Sequence, residues 1–339
     1  MTSLPDSLAF AKSYAGKQVC VTGADGFIGS HLVEALVAGG AKVRALSYYT
    51  SFGRAGWLTN SPVADQVEIL PGDIRDNMRV AQAVKGCDTV FHLAALIGIP
   101  YSYVAPESYV QVNVQGSFNV ALACRDAGVS RLVHTSTSET YGTAQYVPID
   151  ENHPMQPQSP YSASKIGGDM MVLSLRNAYE LPVVVARPFN TYGPRQSTRA
   201  VLPTIATQLL RGASQIKLGA LDPTRDFNYV SDTVNGFLAL GATPGIEGET
   251  INIGSGTEIT VGDAAKLLME IVGNEALIVT DQQRIRPADS EVERLLSDNA
   301  KIVKLTGWQP QVSLRDGFTA MVEWIRDNLD EIDNAGYAI

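Results

Sequence analysis

Val19-Cys-Val-Thr-Gly23-Ala-Asp-Gly26-Phe-Ile-Gly29-Ser-His-Leu decides the fold of this chain. A β-branched apolar run reaches a turn with three glycines at three-residue spacing, and a helical pattern of Leu32, Val33, Ala35 and Leu36 follows at once. A strand that feeds a helix through such a turn brings bare backbone N–H groups and the helix N-terminus against a pyrophosphate. Side chains at Gly23 and Gly26 would hold the phosphates off, and one at Gly29 would push the helix from the strand. An ordinary strand–turn–helix needs only one such glycine. Gly23, Gly26 and Gly29, with Phe27 and Ile28 between them, are therefore expected to bind a dinucleotide.

Outward from this turn, short β-branched runs at 17–22, 42–47, 67–71, 89–93, 131–136 and 181–186 read as strands. They alternate with helical patterns near 29–39, 76–85, 106–127 and 161–179. Near-continuous apolar strands alternating with helices imply an α/β fold, a doubly wound parallel (Rossmann) sheet with helices on both faces. After about residue 190 the alternation loosens: Pro188, Pro194 and Pro203 interrupt, a helix is expected at 201–212, a strand at 249–253 and an amphipathic helix at 260–273. Residues 1–190 are expected to form the dinucleotide-binding domain, with 226–256 returning to it. A smaller interleaved C-terminal substrate lobe takes 191–225 and 257–339.

The 339 residues suffice for a large core, and a net charge of -9 argues against nucleic acid as a partner. An anionic substrate must then be met by locally clustered arginines. Cys20, Cys87 and Cys124 are odd in number and widely spaced in apolar contexts, which reads as buried free thiols. The four histidines lack ligand spacing, so no metal site is expected. Residues 1–16 carry Asp6 and no basic start before a long apolar run, unlike a secretory signal, and no apolar run reaches the roughly 18 residues of a membrane span. A cytoplasmic protein with no membrane partner is expected.

Two later segments carry chemistry. Tyr161-Ser-Ala-Ser-Lys165 puts a phenol and an ammonium on one helix face, one turn apart. A phenol with a pKa near 10 is a poor base at neutral pH, and an adjacent ammonium favours its phenolate. His134-Thr-Ser136-Thr137-Ser138-Glu139-Thr-Tyr141-Gly142 closes the strand at 131–136. Catalytic groups of doubly wound sheets sit at such carboxyl ends. A bland reading of Thr137 and Glu139 is a helix cap with an acid in its first turn.

Together the Gly-x-x-Gly-x-x-Gly turn and the Tyr-x-x-x-Lys pair resemble the extended short-chain dehydrogenase/reductase family, over roughly residues 17–330. Thr137-Ser138-Glu139 resembles the catalytic triplet of GDP-mannose 4,6-dehydratase, whereas the dTDP-glucose enzymes have Asp where Ser138 stands. Ile99-Pro-Tyr-Ser-Tyr103 and Ala200-Val-Leu-Pro-Thr resemble the NAD-dependent dehydratases of UDP- or GDP-N-acetylglucosamine. The resemblance implies Thr137, Ser138, Glu139, Tyr161 and Lys165 as the catalytic set, with Lys165 also on the nicotinamide ribose. It implies a nucleotide-diphosphate sugar as substrate, oxidised at C4 by Tyr161 and dehydrated across C5 and C6 by Glu139. A C4 epimerase, a 5,6-dehydratase, and a non-catalytic cofactor-binding regulator remain the rivals.

The same resemblance implies Asp73 and Ile74 beside the adenine, and Leu93, Ala94 and Ala95 along the cofactor. The position expected to hold an acid for the ribose is Ser47, followed by Tyr48 and Tyr49. NAD is expected because no arginine ends that strand, with NADP as the alternative through Arg54. Asn190, Arg195, Arg225 and Arg286 fall in segments that resemble those gripping the substrate diphosphate, for which the guanidinium fork is suited. The helices at 106–127 and 161–179 carry apolar residues that leave a second face needing cover, and the resemblance implies a homodimer in which these two helices pair across a two-fold axis.

Overall fold

The computed structural model describes residues 10–285 and 287–332, with no account of the Ala288 side chain. The first strand, β1 (Gln18–Thr22), is followed by α1 (Phe27–Ala38), β2 (Lys42–Tyr48), β3 (Val67–Gly72), α2 (Asn77–Val84) and β4 (Thr89–His92). Next come the short helices α3 (Ile99–Val104) and α4 (Pro106–Tyr109), then α5 (Ser117–Ala127), β5 (Arg131–Thr135), α6 (Pro160–Tyr179) and β6 (Val183–Pro188).

These strands form one seven-stranded sheet, in the order Thr250–Ile253, β6, β5, β4, β1, β2, β3, and every pairing is parallel. Every residue of β4 and of β6 is buried, as strands covered by helices on both faces require. Chain order reverses between β1 and β4, so the crevice beyond their carboxyl ends is where a ligand of such a sheet binds.

Beyond β6 the chain builds two-stranded pieces: Asn190–Tyr192 with Phe227–Tyr229, Gln215–Leu218 with Leu277–Thr280, and Thr224–Arg225 with Ile259–Thr260. Their apolar residues, among them Leu202, Ile216, Phe227 and Phe318, share one continuous core with Val21, Val33 and Val133 of the sheet layer. This region therefore packs directly against the sheet.

Two expected elements take a different form. The helix expected at 106–127 is continuous in path, but Val110–Gly116 is wound as a π-helix between α4 and α5. Asn113 in that segment clamps the β4–α3 loop, bonding the N–H and C=O of Leu96 at 2.9 Å each, and reaches Ser164 of α6 at 2.9 Å. Gly116 lets Ile74 approach: a methyl group on it would stand 2.5 Å from the Ile74 Cδ1. The helix expected at 201–212 ends earlier, at Leu210.

Candidate active site

The dinucleotide turn is built on close approach. Gly23 has φ +66°, and a methyl group there would stand 2.7 Å from the Ala94 nitrogen; one on Gly29 would stand 2.1 Å from the Gly23 carbonyl oxygen. No side chain fits in either place. Gly26 caps α1 without a side chain, and Phe27 and Ile28 in its first turn are half-buried. Thr22 Oγ1 accepts from the Ala94 N–H at 3.2 Å and pairs with His92 Nδ1 at 2.7 Å, which fixes the end of β4 against the end of β1. Leu93, Ala94 and Ala95 thus line the crevice at the reversal point, half-buried. The cradle fits a dinucleotide: two glycines are sterically obligatory, and the N-terminus of α1 opens into the crevice.

At the rim, Ser47 is buried at the end of β2 while Tyr48 and Tyr49 are exposed, so no carboxylate ends that strand. Asp73 is held by Arg75, Oδ2 to Nη2 at 2.6 Å and Oδ1 to Nε at 3.1 Å, and this pair keeps the Asp73 carboxyl below its usual range. Ile74 is buried beneath it.

Ser159 starts α6 with a capping box to Ser162, and Pro160 occupies its first turn. One turn apart on this helix, Tyr161 and Lys165 are 7% and 4% exposed. Lys165 Nζ donates to the Thr135 carbonyl at 2.6 Å, which ties α6 to the end of β5. Two residues on, Thr137 caps the 3₁₀ turn Ser138–Thr140 by accepting from the Glu139 N–H at 3.3 Å. The Thr137 side chain also acts on the Tyr161 phenol, favouring its ionised form. Thr137 is therefore both the cap of the bland reading and a neighbour of the phenol. Ser138 is buried, and Glu139 is half-buried.

The electrostatics differ from the sequence expectation in one respect. Burial raises the Tyr161 phenol above its usual value; the Thr137 side chain opposes this, while Glu139, Tyr109 and Asp169 add to it. An ammonium one turn away does not outweigh that desolvation. Burial also pulls Lys165 down to about 8, against the pull of Asp169.

Of the expected substrate groups, Asn190 opens the short strand beside Phe227–Tyr229, and its Oδ1 is buried with no hydrogen-bond partner among the described residues. Arg225 is buried, donating to the Thr224 carbonyl at 2.9 Å and to Glu291 at 3.1 Å. Arg195 is turned the other way: its guanidinium holds Glu34 of α1 at 2.9 and 3.1 Å and Ser30 at 3.2 Å. Arg286 lies outside the described residues. Sequence reasoning missed Asp169, which hydrogen-bonds His134, Ser136 and Arg187 behind Lys165. Its spacing four residues after Lys165 was the available signal. It also missed Tyr109, whose ring packs edge-on to that of Tyr161 at 6.2 Å.

Residues 20–321 match the family model of GDP-mannose 4,6-dehydratase. A UDP-glucose 4-epimerase of Mycolicibacterium smegmatis is 35% identical over 313 residues, 91% of this chain and 98% of that protein. A dTDP-glucose 4,6-dehydratase of an Actinoplanes species is 34% identical over 322 residues, 92% and 98%. The crystal structure of DesIV, the dTDP-glucose 4,6-dehydratase of Streptomyces venezuelae, contains NAD and superposes with a TM-score of 0.84 at 32% identity, covering 93% of this chain and 98% of that one. With the glycine cradle and the Tyr161–Lys165 face on one parallel sheet, the chain belongs to the GDP-mannose 4,6-dehydratase family of extended short-chain dehydrogenases/reductases, NAD-dependent enzymes that include nucleotide-sugar dehydratases and epimerases.

Proposed function

We propose that this chain is a nucleotide-sugar 4,6-dehydratase of the cytoplasm. Its substrate is a hexose on a nucleoside diphosphate, UDP- or GDP-N-acetylglucosamine, and its product the 4-keto-6-deoxy sugar. One observation carries this reading: the half-buried Glu139 shares a turn with Thr137, and its charge is felt at the Tyr161 phenol. A C4 epimerase needs no carboxylate there.

When bound, NAD would supply a reversible hydride acceptor for oxidation at C4 and reduction at C6, and would not be consumed. Gly23, Gly26, Phe27, Ile28 and Gly29 hold its pyrophosphate, Asp73 and Ile74 its adenine end, and Leu93, Ala94 and Ala95 its length. Lys165 holds the nicotinamide ribose. Tyr161 Oη takes the proton of the C4 hydroxyl, whose oxygen Thr137 Oγ1 also binds. The 4-ketone then acidifies the C5 hydrogen, and the Glu139 carboxylate takes that proton and delivers it to the departing C6 hydroxyl, with Ser138 beside it; as C6 is reduced, C5 takes a proton from solvent and Tyr161 gives its own back to solvent. The sugar is anchored by Asn190, Arg225 and Arg286. Arg195, engaged by Glu34, is assigned to holding its own loop against α1. Val110 and Met170, exposed at 55% and 44% on the α5 side and on α6, mark the face that pairs in a homodimer.

The rival reading is a C4 epimerase, supported by the 35% identity to an enzyme of that name. Mass spectrometry of UDP- and GDP-N-acetylglucosamine after incubation separates the two. Loss of one water supports the dehydratase; unchanged mass with an inverted C4 supports the epimerase.

A further inference from the structure

A dinucleotide-binding sheet places a carboxylate at the end of its second strand to hold the adenosine ribose hydroxyls. Here that place is taken by Ser47, which is 2% exposed and carries no charge, and Tyr48 and Tyr49 after it are exposed. The Asp73 carboxylate, beyond the third strand, is engaged by Arg75.

Another acid reaches this end of the sheet from the glycine turn itself. The Gly23 N–H donates to the Leu46 carbonyl at 3.1 Å, which sets the turn against the last residues of β2. Asp25, two residues on, is half-buried against the segment that follows β2. Its carbonyl accepts from the Trp57 N–H at 3.1 Å. Gly56, with φ +47°, comes so close that a methyl group on it would stand 3.1 Å from the Asp25 Cβ. The segment is held in its turn. The Trp57 ring meets that of Trp324, on the helix Leu314–Asp327, edge-on at 5.4 Å, and the Ala55 N–H donates to Thr59 Oγ1 at 2.8 Å. Asp25 is therefore fixed between the turn that faces the pyrophosphate and the strand end that faces the ribose. Burial raises its carboxyl above the usual value, and its own N–H and that of Tyr48, the residue after Ser47, oppose this.

We propose that Asp25 supplies the carboxylate that the end of β2 lacks: it accepts from the adenosine ribose hydroxyls of NAD and repels a 2′-phosphate, and so sets the choice of NAD over NADP. The proposal rests on the reading of the glycine turn as the pyrophosphate cradle. The rival group at this rim is the exposed Arg54, whose charge would favour the 2′-phosphate.

Calorimetric titration of cofactor-stripped full-length protein tests this with three probes: NAD, NAD whose adenosine ribose lacks the 2′-hydroxyl, and NADP. The native chain is expected to bind NAD about tenfold or more tighter than either of the others. Asp25→Asn keeps the size of the side chain and an acceptor for a backbone N–H, but removes the charge. It is expected to weaken NAD by about tenfold or more, to leave the 2′-deoxy analogue as it was, and to bind NADP no worse than before. An Asp25 that served only to seat the segment after β2 would weaken all three probes by one factor on substitution, and that result overturns the proposal. So would NADP bound as tightly as NAD and lost in Arg54→Gln, which gives the ribose end to Arg54. If Asp25→Asn does not fold, Asp25→Ser is read by the same ratios, equal losses being fatal. Titration with ADP, which shares the adenosine ribose and the pyrophosphate, separates the proposal from the cradle beneath it. ADP and NAD both bound, with unchanged ratios in Asp25→Asn, overturns the assignment of Asp25 alone; a native chain that binds neither overturns the cradle and the assignment together.

Discussion

Lys165 and Thr135 are joined by a 2.6 Å hydrogen bond from an ammonium to a backbone carbonyl, and this bond sets the geometry of the site. It fastens α6, which carries Tyr161, to the end of β5, from which the Thr137–Glu139 turn departs. Phenol, hydroxyl and carboxylate are thereby brought together from segments more than twenty residues apart.

Tyr161→Phe is expected to lower turnover by about 10²- to 10⁴-fold, the range of a lost general base, while nucleotide-sugar affinity persists. The groups assigned to the diphosphate are untouched by this change. Steady-state kinetics and calorimetric titration check it; near-native turnover would remove Tyr161 from the mechanism.

Glu139→Gln should separate oxidation from elimination. C4 oxidation needs Tyr161 and Lys165 only, so single-turnover absorbance should show reduced nicotinamide accumulating. Exchange of the C5 hydrogen with solvent deuterium should cease. Release of 4-keto-6-deoxy product at the normal rate would make Glu139 an acid beside a cap and nothing more.

Gly29→Ala places a methyl group 2.1 Å from the Gly23 carbonyl, between two backbone segments that cannot yield separately. A stability loss of about 1–3 kcal/mol, the usual range for overpacking, is expected in urea titration, together with weakened NAD binding. Unchanged NAD affinity would show that the turn does not form the pyrophosphate cradle.

Acid should destabilise the fold through its histidines. Burial lowers His31 to about 4 and holds His92 and His134 below the ordinary value, so these rings stay neutral in the native state as pH falls. The unfolded chain takes up protons on the same rings near pH 6.5, and stability therefore falls from that pH down towards 4. Each ring contributes up to about 1.4 kcal/mol per pH unit within this window. Urea midpoints at pH 7, 6 and 5 check the slope, and a flat profile would contradict it.

How far the sequence could be read follows from range. The sheet was legible because its central strands are buried on both faces and so read as near-continuous apolar runs, as in residues 183–186. Gly23, Gly29, Tyr161 and Lys165 were legible because their spacing is local. The π-helical turn at Val110–Gly116 was not, because Asn113 is recruited by Leu96 and Ser164, one 17 and the other 51 residues away in sequence. Arg195 read as a substrate group from its loop, yet Glu34, 161 residues distant, holds it in the fold. Nor does spacing reveal that desolvation exceeds the effect of Lys165 at Tyr161.

Isotope transfer tests the central claim most directly. UDP- or GDP-N-acetylglucosamine carrying deuterium at C4 is incubated with the holoenzyme, and the product is read by NMR. A 4,6-dehydratase must deliver that deuterium to the new C6 methyl group of a 4-keto sugar. Deuterium found still at C4, on a sugar of inverted configuration and undiminished mass, would contradict the account and make the protein an epimerase.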